Sequence, residues 1–274
     1  YEIMPRLVGS EMCIRDRFQG TWSVDTIKGF SGLSDYYFTS DKLEAYGNGN
    51  MLKGGLVYAD RITTVSRSYA SEIRMPFYGE GLDGLLRARS KQLSGIVNGI
   101  DYNVYNPKTD KDIAVNYSVE DVIKAKAANK TALQKELGLE ENPDAFMLGI
   151  VSRLTDQKGL DLVECVLDQI CAEDVQLVVL GTGEGKYQDM FTYYSRKYPE
   201  RVSANIFYSE ALSHRIYASC DAFLMPSLFE PCGLSQLMSL RYGTLPIVRE
   251  TGGLRDTVTP YNDCLLYTSP SPRD

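Results

Sequence analysis

The chain is short of histidine, tryptophan and long apolar runs. It holds one histidine (His214), one tryptophan (Trp22) and no apolar stretch approaching the ~20 residues that span a bilayer. No membrane helix is therefore expected. A lone histidine and the absence of any close Cys-x-x-Cys pair among six cysteines argue against a zinc centre. Unpaired spacing of this kind reads as reduced thiols in a cytoplasmic protein, with Cys165, Cys171 and Cys220 expected in the core. Basic excess is missing too. Twenty-nine Lys and Arg against 36 Asp and Glu leave a net charge of −7, which does not suit a nucleic-acid partner. An anionic ligand has to be held by local groups instead.

What is present is an ordinary globular composition, 43% apolar and 24% charged over 274 residues, enough for one or two domains with sizeable cores. From Phe146 onward short apolar runs near 146–151, 175–180, 204–208, 222–225 and 245–248 alternate with helical periodicity, the pattern of a parallel sheet covered on both faces. Ser118, Glu120 and Asp121 open a long helix that Gly138 closes. Residues 18–100 read as the tail of a first α/β domain, with a helix at Met51–Tyr58, a strand at Ile62–Val65, a helix from Ser66 to Arg74 and a strand at Leu93–Val97. The polar stretch from Asp101 to Tyr117 is expected to be a hinge.

The segment Phe229–Val258, FEPCGLSQLMSLRYGTLPIVRETGGLRDTV, carries most of the chemistry. Pro231 and Gly233 stop the preceding chain and open a helix with apolar Leu234, Leu237, Met238 and the stem of Arg241 at three- and four-residue spacing, so one face is expected to be buried. The first amides, around Gly233 and Leu234, point to a diphosphate site. Glu230 stands just outside that end, as a functional carboxylate or merely a cap. Thr251, Gly252 and Gly253 follow a short strand, where open sheets bind ligands, although a glycine pair more often only makes a turn. In SRLTDQKG, Arg153 and Lys158 share one loop between strand and helix. They form either a clamp for a leaving diphosphate or a solvated basic loop.

These stretches, with LVVLGTGEGKYQ and SHRIYASCDAFLMPSLFEPCGLSQL, resemble the C-terminal half of bacterial glycogen synthases, the starch synthase family of retaining glucosyltransferases with two Rossmann-like domains, the GT-B fold. The resemblance covers about residues 18–263. It implies a nearly complete C-terminal nucleotide-sugar domain, residues 101–263, after the remainder of an N-terminal acceptor-side domain, residues 18–100. It also implies transfer of glucose from ADP-glucose to the non-reducing end of an α-1,4-glucan. Under it Arg153 and Lys158 hold the diphosphate, Cys232, Gly233 and Leu234 supply helix-end contacts, and Thr251 and Gly252 supply backbone near the phosphates. Tyr208 stacks on the base, Glu230 faces the sugar, and Asn98, in NGID, is a candidate near an interdomain cleft or a plain turn residue. No metal or cofactor is expected. A methionine, Met238, stands where many related sugar transferases carry a second glutamate, which favours this branch over sucrose-phosphate synthase-like relatives.

Three rival readings are set beside this one: another GT-B nucleotide-sugar transferase, a non-catalytic glucan-binding fragment, and a nicotinamide-dependent oxidoreductase. The last rests on Gly181-Thr182-Gly183-Glu184-Gly185, whose third glycine comes one position early for the dinucleotide fingerprint. Asp110-Lys111-Asp112 mimics a metal-binding Asp-x-Asp and is expected to face solvent; His214 is expected on a helix surface or as a cap. Residues 1–17 and 264–274 continue no family motif and read as non-native, adaptor-like ends. With the family's lysine- and glycine-rich N-terminal loop absent, the 274-residue chain is expected to be inactive alone.

Overall fold

The computed structural model describes residues 19–261, so the adaptor-like ends lie outside the described residues. The chain forms two compact units that divide between Asn98 and Gly99.

The first unit holds strands β1 (Thr21–Trp22), β2 (Glu44–Ala45), β3 (Asn48–Asn50), β4 (Ile62–Thr64) and β5 (Leu93–Gly95). Its helices are α1 (Val24–Ser31), α2 (Met51–Tyr58), α3 (Arg67–Glu72), α4 (Pro76–Gly79) and α5 (Asp83–Ala88). The strands β1-β3-β2 form a small antiparallel sheet, while β4 and β5 pair in parallel. Leu56, Ile62, Tyr69, Ile73, Leu82 and Leu86 make its core. Strand β5 stops at Gly95, short of the expected Val97. There the backbone passes so close to Ser66 that a Cβ would sit 2.1 Å from its carbonyl oxygen.

The second unit begins with helix α6 (Val122–Leu137) and then alternates β6 (Phe146–Val151), α7 (Leu160–Ala172), β7 (Val175–Leu180), α8 (Gly185–Lys197), β8 (Val202–Asn205), α9 (Glu210–Ser219), β9 (Ala222–Met225), α10 (Ser235–Arg241), β10 (Leu245–Val248) and α11 (Gly252–Thr257). The five strands form one parallel sheet in the order β10-β9-β6-β7-β8. Burial on both faces follows the two-residue period of a strand. Leu148, Ile150, Leu177 and Val179 pack with Val163, Leu167 and Phe191 of α7 and α8. Met147, Val178 and Leu180 pack the other way, against Leu133, Leu212 and Ile216 of α6 and α9. Gly138 closes α6 in the left-handed region, at φ 69°.

Several expectations need correction. The stretch Asp101–Tyr117 is not a bare hinge: Ile113 and Tyr117 are buried with Tyr217, Phe223 and Tyr242, and the Tyr117 hydroxyl donates to the Tyr242 carbonyl at 2.8 Å. Two apolar anchors suffice to fold a polar segment onto the unit. Strand β8 ends at Asn205, opposite Leu180 at the end of its partner β7, and the Gly181 amide makes the last bond between them, to the Asn205 carbonyl at 3.1 Å. Ile206–Tyr208 are thereby released from the ladder. Cys165 is exposed, since α7 buries Leu160, Val163, Leu167 and Cys171 on the opposite face. In α10 the fully buried positions are the polar Gln236 and Ser239, while Leu240 is exposed and Leu237 and Met238 are half-buried. Among the described residues no helix is long and apolar enough to cross a membrane.

Candidate active site

All five strands of the large sheet run the same way, so their carboxyl ends share one edge. Strand β6 is first in sequence, β7 and β8 extend to one side and β9 and β10 to the other. The topological switch therefore falls between β6 and β9, where open α/β sheets place ligands. Arg153 and Lys158 leave β6 there, and Glu230 to Leu234 leave β9.

Across this switch the Lys158 ammonium meets the Glu230 carboxylate, Nζ to Oε2 at 2.6 Å, with side-chain exposures of 15% and 8%. Gly159 permits the approach. It sits at φ +63°, and a Cβ there would lie 2.2 Å from the Pro226 carbonyl oxygen at the exit of β9. The Leu228 amide donates to the Gln157 carbonyl at 2.9 Å and the Gln157 side chain to the Phe229 carbonyl at 3.3 Å. The Ser227 hydroxyl adds a bond of 3.1 Å to the same Glu230 oxygen that Lys158 holds.

On the other side of β6 lies a cleft of about 290 Å³, lined by Arg153, Thr182, Tyr105, Tyr208 and Met238 among others. The Arg153 guanidinium makes no hydrogen bond or ion pair among the described residues, and Tyr208 is 85% exposed. Both face open space that a ligand can fill. The glycine-rich stretch after β7 has a packing role that accounts for its spacing. Cβ atoms at Gly181 and Gly183 would fall 1.9 and 2.2 Å from the carbonyl oxygens of Ser152 and Leu154. The Leu154 amide donates to Thr182 and the Glu184 amide to Leu154, zipping this loop to the one that carries Arg153.

The aromatic wall of the cleft is braced from behind. Tyr105 stacks on His214, ring centroids 4.9 Å apart, and His214 is buried rather than on a helix surface. Its Nδ1 lies 2.6 Å from Asp110, which also accepts from the Tyr242 hydroxyl. With two donors on that oxygen, Nδ1 is the protonated ring nitrogen. Burial, then the charges of Glu210 and Tyr208, push the Tyr105 hydroxyl up; burial, then Asp110, does so for Tyr242. Both stay neutral at ordinary pH. Asp112 faces solvent as expected, but Asp110 does not. Ligand atoms of Asp110, Asp112 and His214 lie within 4.8 Å of one another, yet the Asp110 oxygens are already taken by His214, Tyr242 and the Asp112 amide. A metal at this cluster would have to break those bonds.

Cys232, Gly233 and Leu234 precede α10, whose first helical residue is Ser235, one position later than the sequence suggested. The amides of Gly233 and Leu234 have no intramolecular acceptor among the described residues. Thr251 is the N-cap of α11, and Gly252 and Gly253 form its first turn instead of a free turn. Gly253 is needed for close approach, because a Cβ would lie 2.2 Å from the Cys232 carbonyl oxygen, and its amide donates to the Glu230 carbonyl at 2.8 Å. Thus one edge gathers Lys158, Glu230, Cys232, Gly233, Leu234, Thr251 and Gly252, with Arg153 and Tyr208 in the adjoining cleft. Asn98 is half-buried and ends the first unit, outside the unit that carries the rest. Tyr105, Thr182 and Ser227 were missed from sequence. Only the position of Ser227, three residues before Glu230 in one loop, offered a local signal.

The profile of the starch synthase catalytic domain matches residues 16–88, and that of glycosyl transferases group 1 matches residues 130–274. A glycogen synthase from Lachnospira eligens is 70% identical over 247 residues, which is 90% of this chain and 52% of that protein. Another, from Lachnoclostridium phytofermentans, is 65% identical over 246 residues, again 90% of this chain and 52% of its own. The solved catalytic domain of starch synthase IV from Arabidopsis thaliana, bound to ADP and acarbose, superposes with a TM-score of 0.84 at 36% identity, over 92% of this chain and 52% of its own. The chain spans about half the length of the relatives it matches. It belongs to the group 1 glycosyl transferases, in the glycogen and starch synthase family, with the α/β GT-B fold.

Proposed function

We propose that the protein to which this sequence belongs transfers glucose from ADP-glucose to the non-reducing end of an α-1,4-glucan with retention of configuration, in the cytoplasm. The observation that carries the reading is the buried Lys158–Glu230 contact at the switch point, next to an aromatic cleft that Arg153 enters. Arg153 and Lys158 neutralise the charge that grows on the departing diphosphate, and the free amides of Gly233 and Leu234 add dipole to the same end. The base lies against Tyr208 and Tyr105. Glu230 hydrogen-bonds glucose hydroxyls and favours the oxocarbenium-like charge as the bond breaks, an interaction stronger in the transition state than in the ground state. A covalent role for Glu230 is not part of the proposal. With cationic side chains at the diphosphate, metal is dispensable.

The reading is supported by the relatives' glycogen and starch synthase identities and by the ADP and acarbose bound in the Arabidopsis enzyme. The test is glucosyl transfer to glycogen by this sequence completed to the length of those relatives, with ADP-glucose and UDP-glucose side by side and with and without chelator. Faster turnover of ADP-glucose, indifferent to chelator, is expected. Absence of transfer from either donor refutes the activity, and preference for UDP-glucose refutes the donor.

A further inference from the structure

We propose that Ser227 is a positioning residue that gives the two oxygens of Glu230 different tasks, Oε2 held inside the protein and Oε1 presented to the donor sugar. This rests on the function proposed above. Both side-chain partners of the carboxylate among the described residues converge on Oε2: the Lys158 ammonium at 2.6 Å and the Ser227 hydroxyl at 3.1 Å. Oε1 has no partner among the described residues, on a residue that is 6% exposed. A carboxylate this deep needs its donors.

Ser227 matters most once donor is bound. Lys158 then has to share its charge with the diphosphate, and its ammonium moves away from Glu230 or divides between the two. The hydroxyl, on a side chain with 0% exposure, stays as the donor that keeps Oε2 satisfied and the carboxylate plane fixed. Without it the carboxylate can turn and offer either oxygen to Lys158, and the sugar loses a fixed acceptor. A role in merely shaping the loop is disfavoured by the backbone contacts. The loop is pinned independently of Ser227 by Leu228 to Gln157, Gln157 to Phe229, and Gly253 to Glu230.

The experiment titrates the 274-residue chain with ADP and with ADP-glucose by calorimetry, in wild type, Ser227→Ala and Ser227→Thr, with thermal unfolding as the fold control. Kinetics of glucosyl transfer are measured for the same variants in the sequence completed to the relatives' length. Ser227→Ala is expected to leave ADP affinity within about twofold, to lower the ADP-glucose to ADP affinity ratio about tenfold, and to lower kcat about tenfold, the size of one hydrogen bond to a charged group. Ser227→Thr, which keeps the hydroxyl, restores both. An unchanged ratio and kcat in Ser227→Ala overturns the role, and so does an equal loss of ADP affinity and thermal stability. If the wild-type sequence completed to the relatives' length neither binds nucleotide nor transfers glucose, the functional reading itself fails, an outcome distinct from an active wild type beside an Ala variant that matches it.

Discussion

Breaking the Lys158–Glu230 pair from one side tests whether the site is organised as described. A solvent-exposed pair contributes ~0–1 kcal/mol, whereas removing one member of a buried pair costs ~3–5 kcal/mol because the other charge is stranded. Here the side chains are 15% and 8% exposed, so the buried case governs. In Lys158→Met the stranded carboxylate keeps one donor, Ser227, which places the cost near ~3 kcal/mol. For a unit of this size that lowers its Tm by about 6–12 °C. Glu230→Leu strands a lysine with a flexible stem that reaches solvent more easily, and costs ~2 kcal/mol. The double variant leaves no stranded charge and costs ~2 kcal/mol in place of the additive ~5 kcal/mol, a coupling of ~3 kcal/mol. Guanidinium and thermal unfolding followed by far-UV circular dichroism give the cycle. Additive single losses, each below ~1 kcal/mol, refute the claim that the pair is desolvated.

Gly159→Ala is expected to destabilise the second unit by ~2–3 kcal/mol and to weaken ADP binding at least tenfold, because a left-handed residue gains a Cβ 2.2 Å from the Pro226 oxygen; unchanged binding by calorimetry counts against Gly159 as the residue that seats Lys158. Arg153→Ala and Tyr208→Ala are expected to lower ADP affinity about 10- to 100-fold and about tenfold with little change in Tm, since both side chains face open space. Burial lowers the Lys126 pKa from 10.5 to about 8 while its ammonium bonds Thr244 at 2.7 Å. At pH 7 both folded and unfolded chains hold this proton and the desolvation cost is fully present. Between about pH 8 and 10.5 the unfolded chain binds more protons, so this group makes stability rise with pH, by at most ~3 kcal/mol. Urea unfolding at pH 8 and pH 10 is expected to show that rise in wild type relative to Lys126→Met; parallel pH trends in the two refute it.

Much of the architecture was legible because strand and helix periodicity are local. The runs at 146–151, 175–180, 222–225 and 245–248 are strands as read, and Gly138 closes α6. Motif positions likewise marked Arg153, Lys158 and Glu230. The misreadings share a cause. Asp110 and His214 are polar residues that local pattern assigns to the surface, and only long-range partners make their burial affordable: Tyr105 stacks over the imidazole and Tyr242 donates to the carboxylate. The same holds for Gln236 in α10, whose side-chain amide reaches Cys232, Gly233 and Thr257.

From its residues alone the chain determined a parallel α/β sheet, the loops bearing its cations and carboxylate, and the family pattern, because these depend on neighbours in sequence and on hydrophobic period. Tertiary structure decided that Lys158 and Glu230, 72 positions apart, touch across the β6–β9 switch, that Ser227 holds the same oxygen, and that the sole histidine braces the cleft from inside. Those facts depend on strand order and on glycines that let distant backbones meet, which no local pattern encodes.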